Sequence, residues 1–147
     1  EWVLKIIGDG PDRELLQRLI ISLDLQNNVV LTGAMSRDKL TRELSRAKIF
    51  ALSSVTEGLP KALLEAMCAK SACVTFNVGD CARVLGDCGL VVEPGDSDSF
   101  VEAIISLIDD TPMQRELSVL AERRAKEFSW NKYLDLHQKL YQQALLN

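Results

Sequence analysis

Short apolar runs alternate along this chain with longer stretches in which apolar residues return every three or four positions, and that alternation predicts a parallel sheet wrapped by helices. Trp2 to Ile7 reads as a strand, closed by the turn Gly8-Asp9-Gly10-Pro11. Leu15, Leu16, Leu19, Ile20 and Leu23 then recur at helical spacing. Asn28 to Thr32 gives a second strand stopped at Gly33, and Ser36 can cap a helix that carries Leu40, Leu44 and Ala47 inward. Lys48 to Leu52 is a third strand. A loop from Ser53 to Gly58 follows, and Pro60 suits the first turn of a helix running to about Ala69, where its missing N–H would be unpaired in any case. Ala72 to Phe76 and Gly89 to Val92 supply two more strands around a short helical piece at Ala82 to Leu85. From Ser97 the chain turns wholly helical, with breaks near Pro112 and at Ser129. Its last helix, Trp130 to Leu146, carries an apolar stripe of Tyr133, Leu134, Leu140, Tyr141 and Leu145 that must lie against something.

The expected fold class is therefore α/β, a Rossmann-like parallel sheet flanked by helices with a helical C-terminal tail. A length of 147 residues fits one such domain, residues 1–147, of which 97–147 form the tail. Because the chain opens at Glu1-Trp2 inside a strand, the first β-α unit of the domain is expected to be missing. The balance of 17 basic against 21 acidic residues, net −4, leaves no basic block to track a phosphate backbone, which argues against a nucleic-acid partner. Cys68, Cys73, Cys81 and Cys88 never form a C-x-x-C pair, so they read as free buried thiols suited to a reducing, cytoplasmic setting. No run approaches the roughly 18 to 20 apolar residues of a membrane helix, and no signal peptide is evident.

In open parallel sheets ligands bind beyond the carboxyl ends of the strands. Three loops qualify: Gly8 to Pro11, Gly33 to Ser36, and Ser53 to Pro60. The third places Glu57 in the loop and Glu65 more than a turn into the following helix, while Gly58 permits close backbone approach. The helix start offers unpaired amides near Lys61 and Ala62, and its dipole favours an anion such as a diphosphate. A carboxylate deeper in that helix can accept two ribose hydroxyl hydrogens. On spacing alone, Glu65 is read equally well as a solvated helix residue, since glutamates eight apart are common.

The whole string Glu57-Gly58-Leu59-Pro60-Lys61-Ala62-Leu63-Leu64-Glu65-Ala66-Met67 resembles the signature of the GT-B-fold retaining glycosyltransferases of family four, the glycosyl transferases group 1, in which two glutamates are separated by seven intervening residues. Ile6-Ile7-Gly8-Asp9-Gly10-Pro11 and Val29-Val30-Leu31-Thr32-Gly33 look like that family's first glycine turns. Val78-Gly79-Asp80, Gly89-Leu90-Val91-Val92 with Pro94-Gly95-Asp96, and Phe128-Ser129-Trp130 resemble its later landmarks, so nearly the entire chain is covered in order.

The resemblance implies the C-terminal, donor-binding half of a GT-B fold. Glu65 would hold the donor ribose, and Glu57 would face the transferred sugar as the catalytic residue, stabilising charge at the anomeric carbon. Gly58 and the amides around Leu59, Lys61 and Ala62 would take the diphosphate, and Gly33-Ala34-Met35 would border the base. The donor would be a UDP- or GDP-linked sugar, with no metal and no other cofactor. Remaining partners would be a carbohydrate or lipid-linked acceptor and a missing N-terminal domain of the same protein. The Val78-Gly79-Asp80 landmark looks like those of bacterial surface-polysaccharide enzymes, which points to polysaccharide or glycolipid synthesis and to peripheral contact with the inner face of the membrane. The fragment alone would be inactive. A non-catalytic nucleotide-sugar-binding module and a GT-B-fold nucleotide-sugar epimerase stay open as alternatives.

Lys70 and Ala72 depart from the family's usual glycine and proline, and a left-handed Lys70 would cost on the order of 1 kcal/mol. The resemblance implies that the family's phosphate-clamping arginine and lysine would lie on the first β-α unit, which is expected to be missing. His137 reads as structural or solvated. Asp109-Asp110 reads as a helix end, and Glu122-Arg123-Arg124 as an exposed helical face. Gly8-Asp9-Gly10 lacks the third glycine of a dinucleotide site, because Arg13 stands there.

Overall fold

In the computed structural model, which describes residues 2–145, every strand pairing is parallel. Strands β1 (Leu4–Ile7) and β2 (Val29–Gly33) form one ladder, and β3 (Ile49–Leu52), β4 (Ala72–Phe76) and β5 (Leu90–Val92) form another in the order β3-β4-β5. Tertiary contacts divide the chain into two units, Glu1–Leu40 and Thr41–Asn147. The first strand begins at Leu4, not Trp2, because the ladder starts where the Leu4 N–H reaches the carbonyl of Asn28 at 2.8 Å. Glu1 and Leu146, which the sequence reading placed in the first strand and the last helix, lie outside the described residues.

In the first unit, helix α1 (Arg13–Ser22) connects β1 to β2. Pairing runs from Leu4 opposite Val29 to Ile6 opposite Leu31, then shifts so that Ile7 lies opposite Gly33. The irregularity is stitched by the Gly8 N–H to the Gly33 carbonyl at 3.0 Å and the Thr32 hydroxyl to the Ile6 carbonyl at 3.1 Å.

The second unit is built around β4. All five of its residues are buried, the mark of a strand covered on both faces, and α3 (Lys61–Cys68), α4 (Cys81–Leu85), α5 (Ser97–Asp109) and α6 (Thr111–Ala125) all pack on it. Leu63 and Met67 of α3, Val84 and Leu85 of α4, and Leu107 of α5 are fully buried, each contributing about 2 kcal/mol of apolar burial. The rings of Phe76 and Phe100 meet at 4.5 Å. Helix α2 (Arg37–Leu44) precedes β3, and Asp110 both ends α5 and caps α6, accepting from the Met113 N–H at 2.9 Å.

Helix α3 ends on a left-handed residue that is not glycine. Lys70 has φ +64, its N–H reaches the Met67 carbonyl and the Ser71 N–H reaches that of Ala66, both at 3.1 Å, the paired bonds of a Schellman cap. Three sequence readings are corrected here. Pro60 occupies the cap position of α3, one residue ahead of the first turn, because the chain still bends at ψ 85 there. Of the cysteines, only Cys73 and Cys81 are buried; Cys88 is partly exposed, and Cys68 is exposed on the outer face of α3. Burial pushes the Cys73 thiol up to about 12. The Glu122-Arg123-Arg124 face is not uniformly exposed. Arg124 turns inward, donating from Nε to the Val84 carbonyl at 2.7 Å and from Nη2 to the Arg83 carbonyl at 2.6 Å, which satisfies the open end of α4.

The terminal helix α7 (Trp130–Leu145) follows a short turn of 3₁₀ helix at Lys126–Phe128. Its apolar stripe, expected to be covered, is exposed: Leu134 is 50% accessible, Tyr141 65% and Leu145 87%. Among the described residues α7 packs on that turn at its root, leaving the stripe beyond it open. His137 is held between Tyr133 and Tyr141, with ring centroids 4.1 and 6.4 Å away, as a structural histidine would be.

Replacing Lys70 with glycine removes the left-handed strain and should stabilise the chain by about 0.5–1 kcal/mol after the entropic cost of glycine. Lys70→Ala keeps the strain and should show no gain. Denaturant unfolding of the three proteins checks this, and an unstabilised Lys70→Gly counts against strain at that cap.

Candidate functional site

The parallel register sets Leu52 opposite Thr75, so the loops after β3 and β4 leave the sheet at the same carboxyl edge. They are locked together by backbone. Gly79 has φ +51, and a Cβ built there would fall on the carbonyl oxygen of Glu57, 2.7 Å from its carbon and 3.0 Å from the oxygen of Gly58. The Asp80 N–H donates to that Gly58 oxygen at 3.2 Å. Only glycine fits such an approach without displacing the loop.

Asp80 then grips Arg83 in a two-pronged pair, Nε to Oδ1 at 3.0 Å and Nη2 to Oδ2 at 2.8 Å. The hydrogen bonds from Arg83 hold the Asp80 carboxyl below the usual carboxylate range. The family resemblance offered Val78-Gly79-Asp80 as a landmark but not this contact, since nothing in a glycine's neighbours names the distant carbonyl it must clear.

The loop delivers Glu57 half-buried and runs through Gly58 and Leu59, both exposed, into buried Pro60. With proline at its cap and no acidic residue in its first turn, α3 has no side-chain acceptor for its leading amides. Those of Lys61, Ala62 and Leu63 find no backbone acceptor among the described residues; the first amide paired is that of Leu64, to the Pro60 carbonyl at 3.1 Å. By contrast, α5 and α6 are capped by Asp96 and Asp110. Leu63, Ala66 and Met67 turn inward, so Lys61, Ala62 and Glu65 share the outer face. Helical side chains lean toward the N-terminus, so exposed Glu65, one turn on from Lys61, is directed toward the helix start. Neither Glu57 nor Glu65 has a side-chain partner among the described residues. The arrangement can therefore bind an anion at the amides and a hydroxyl-bearing group beside it.

Gly33 and Met35, the other expected site residues, belong to the first unit, at and just after the carboxyl end of β2. Gly33 has φ +71. Arg13, noted in the sequence only as a missing glycine, pins this region: Nη2 donates to the Leu31 carbonyl at 3.3 Å and Nη1 pairs with Asp9 at 3.7 Å. A hollow of 240 Å³ opens along Ile6 to Arg13.

Residues 1–124 match the family described as glycosyl transferases group 1, and the chain belongs to it. It is 35% identical over 132 residues to an exopolysaccharide phosphotransferase of Streptomyces coelicolor, covering 87% of this chain and 14% of that one. It is 27% identical over 145 residues to the N-acetyl-alpha-D-glucosaminyl L-malate synthase of Bacillus anthracis, covering 97% of this chain and 38% of the relative. The chain thus spans well under half the length of either relative. Its fold is shared by HepE of Anabaena, solved in complex with UDP, with a TM-score of 0.81 at 19% identity over 99% of this chain and 41% of the other. Fold and family are those that the Glu57 to Met67 string resembles.

Gly79→Ala should cost about 2–3 kcal/mol and shift the amides of residues 56–59. Unfolding within about 0.5 kcal/mol of the parent, inside the range of a neutral substitution, contradicts the close approach. The Asp80 pair should be complete above the ordinary carboxylate range and lost as pH falls through the lowered folded value. Carbon-detected titration checks this: Arg83→Gln should bring the Asp80 midpoint back up, and an unmoved midpoint removes Arg83 as the cause.

Proposed function

We propose that this chain is the donor-binding half of a larger glycosyltransferase that moves a sugar from a nucleoside diphosphate, UDP- or GDP-linked, to a carbohydrate or lipid-linked acceptor with retention of anomeric configuration. One observation carries the reading: the uncapped start of α3, with Glu65 exposed one turn further along the helix and the Glu57 carbonyl seated on Gly79. Amides aimed at a charged oxygen contribute about 1.5–3 kcal/mol each, and the helix dipole adds to them. They would hold the diphosphate as leaving group while Glu65 takes the ribose hydroxyls. Glu57 would face the sugar and favour positive charge at the anomeric carbon as the bond breaks. In this scheme neither a metal nor any other cofactor is needed, because the amides supply the charge stabilisation.

The acceptor would be met by a further domain, which the greater length of the relatives supports. Bacterial relatives with an exopolysaccharide and an N-acetylglucosaminyl product in their names favour polysaccharide or glycolipid synthesis, at the cytoplasmic face of the membrane. Among the described residues no helix is long and apolar enough to cross a membrane. A second reading, a non-catalytic nucleotide-sugar-binding module, is favoured by the relative whose name is that of a phosphotransferase and of which this chain matches 14%.

Titrating UDP and GDP into the chain while following amide shifts should move residues 57–65, with no sugar transfer by the chain alone. Shifts that avoid that segment contradict the placement. Glu65→Ala should weaken nucleotide binding roughly tenfold. In the larger protein Glu57→Ala should lower kcat more than it raises KM, which also separates enzyme from module.

A further inference from the structure

The amino ends of β3 and β4 lie at the sheet edge opposite the Glu57 loop, and a hollow of 330 Å³ opens there, entirely within the second unit. Four cations line it from three stretches of chain: Arg46 and Lys48 in the link between α2 and β3, Lys70 just after α3, and Arg115 in α6. No carboxylate lines it, although acidic residues outnumber basic ones 21 to 17 in the chain. Asp110, the nearest in sequence to Thr111 on the rim, is turned onto the Met113 N–H as a helix cap. Glu122 reaches Lys70 at 3.4 Å, a pair in which Lys70 is exposed and Glu122 half-buried. Arg46 and Arg115 make no ion pair among the described residues.

The walls are fixed. Buried Gln114 donates to the Leu107 carbonyl at 2.8 Å, which anchors α6 beside Arg115. The Ser71 hydroxyl donates to the Ala47 carbonyl at 3.0 Å, and the Ala72 N–H to that of Lys48 at 2.9 Å, which ties the β3 side to the β4 side. Lys70 lines the hollow from a left-handed backbone that glycine would occupy without strain, so a charge is kept where conformation disfavours it. The hydroxyls of Ser45 and Ser118 already donate to carbonyls three residues back, which leaves the guanidinium groups of Arg46 and Arg115 as the principal donors open to a ligand.

We propose that this hollow is a second ligand site, separate from the donor loop, that takes a phosphate-bearing anion. Arg46 and Arg115 offer planar guanidinium forks to pairs of phosphate oxygens, and Lys48 and Lys70 add compact charge. A free phosphorylated molecule and an anionic lipid headgroup share that chemistry. The proposal does not depend on the donor reading, because the two sites lie at opposite ends of the strands.

Inorganic pyrophosphate is titrated into the chain at low ionic strength, with amide shifts as the readout, beside sedimentation with vesicles of phosphatidylglycerol or of phosphatidylcholine. Saturable shifts at residues 69–71 and 111–118 are expected. Arg46→Gln and Arg115→Gln should each weaken binding roughly tenfold, with Arg115→Lys retaining part of it and circular dichroism unchanged. Pyrophosphate binding with pelleting only on phosphatidylglycerol supports a headgroup ligand, and pyrophosphate binding without pelleting supports a free one. Shifts confined to 57–65, or affinity unchanged in both glutamine variants, overturn the proposal.

Discussion

The absence of a side chain at Gly79 lets two loops of the same sheet edge touch backbone to backbone, and the position of Glu57 depends on that contact. With φ +51 at Gly79 and the Asp80 N–H on the Gly58 oxygen, the loop after β3 is seated on the turn after β4. The seat is firm because β4 beneath it is buried throughout and Val78 beside it is also buried. A carboxylate on a surface loop would ordinarily sample many positions. Here the carbonyl of its own residue is fixed, so the side chain starts from a defined place.

What the seat presents is a helix start left open. Serine, threonine or aspartate at the cap of α3 would satisfy one of its leading amides internally. Proline cannot, and its burial holds the chain at the angle needed to begin the helix. Asp96 and Asp110 cap α5 and α6, whereas α1 and α4, like α3, begin without a side-chain cap bond; what sets α3 apart is a proline at its cap, which has no side-chain acceptor to offer. Exposed Glu65, one turn further along the same outer face, completes a surface with donors for an anion and an acceptor for hydroxyls. Family membership gives that surface its reading as a donor site.

Much of the fold was legible because each strand is a short apolar run and each helix a 3.6-residue repeat. Ala72 to Phe76 is found where the sequence put it, being buried on both faces and bounded by the Lys70 cap and the turn at Asn77. The left-handed Lys70 was legible too, as a charged residue where a helix must turn back. The misses share a physical origin. Arg124 sits in a run of charges that looks solvated, yet its guanidinium caps a helix forty residues earlier in the chain. The Gly79 contact spans more than twenty residues and leaves no periodic trace. Cys68 looked buried because its neighbours are apolar, but helical phase puts it on the same outer face as Glu65. The stripe on α7 was read correctly as apolar, and amphipathicity alone does not say whether a covering surface is at hand.

The claim that the open amides of α3 hold a diphosphate is tested most directly by a crystal structure of the protein with a bound nucleoside diphosphate sugar. The account predicts phosphate oxygens within hydrogen-bonding distance of the Lys61 and Ala62 amides and ribose hydroxyls on the carboxylate of Glu65. A nucleotide bound elsewhere, or with its ribose away from Glu65 and its phosphates off the helix start, contradicts it.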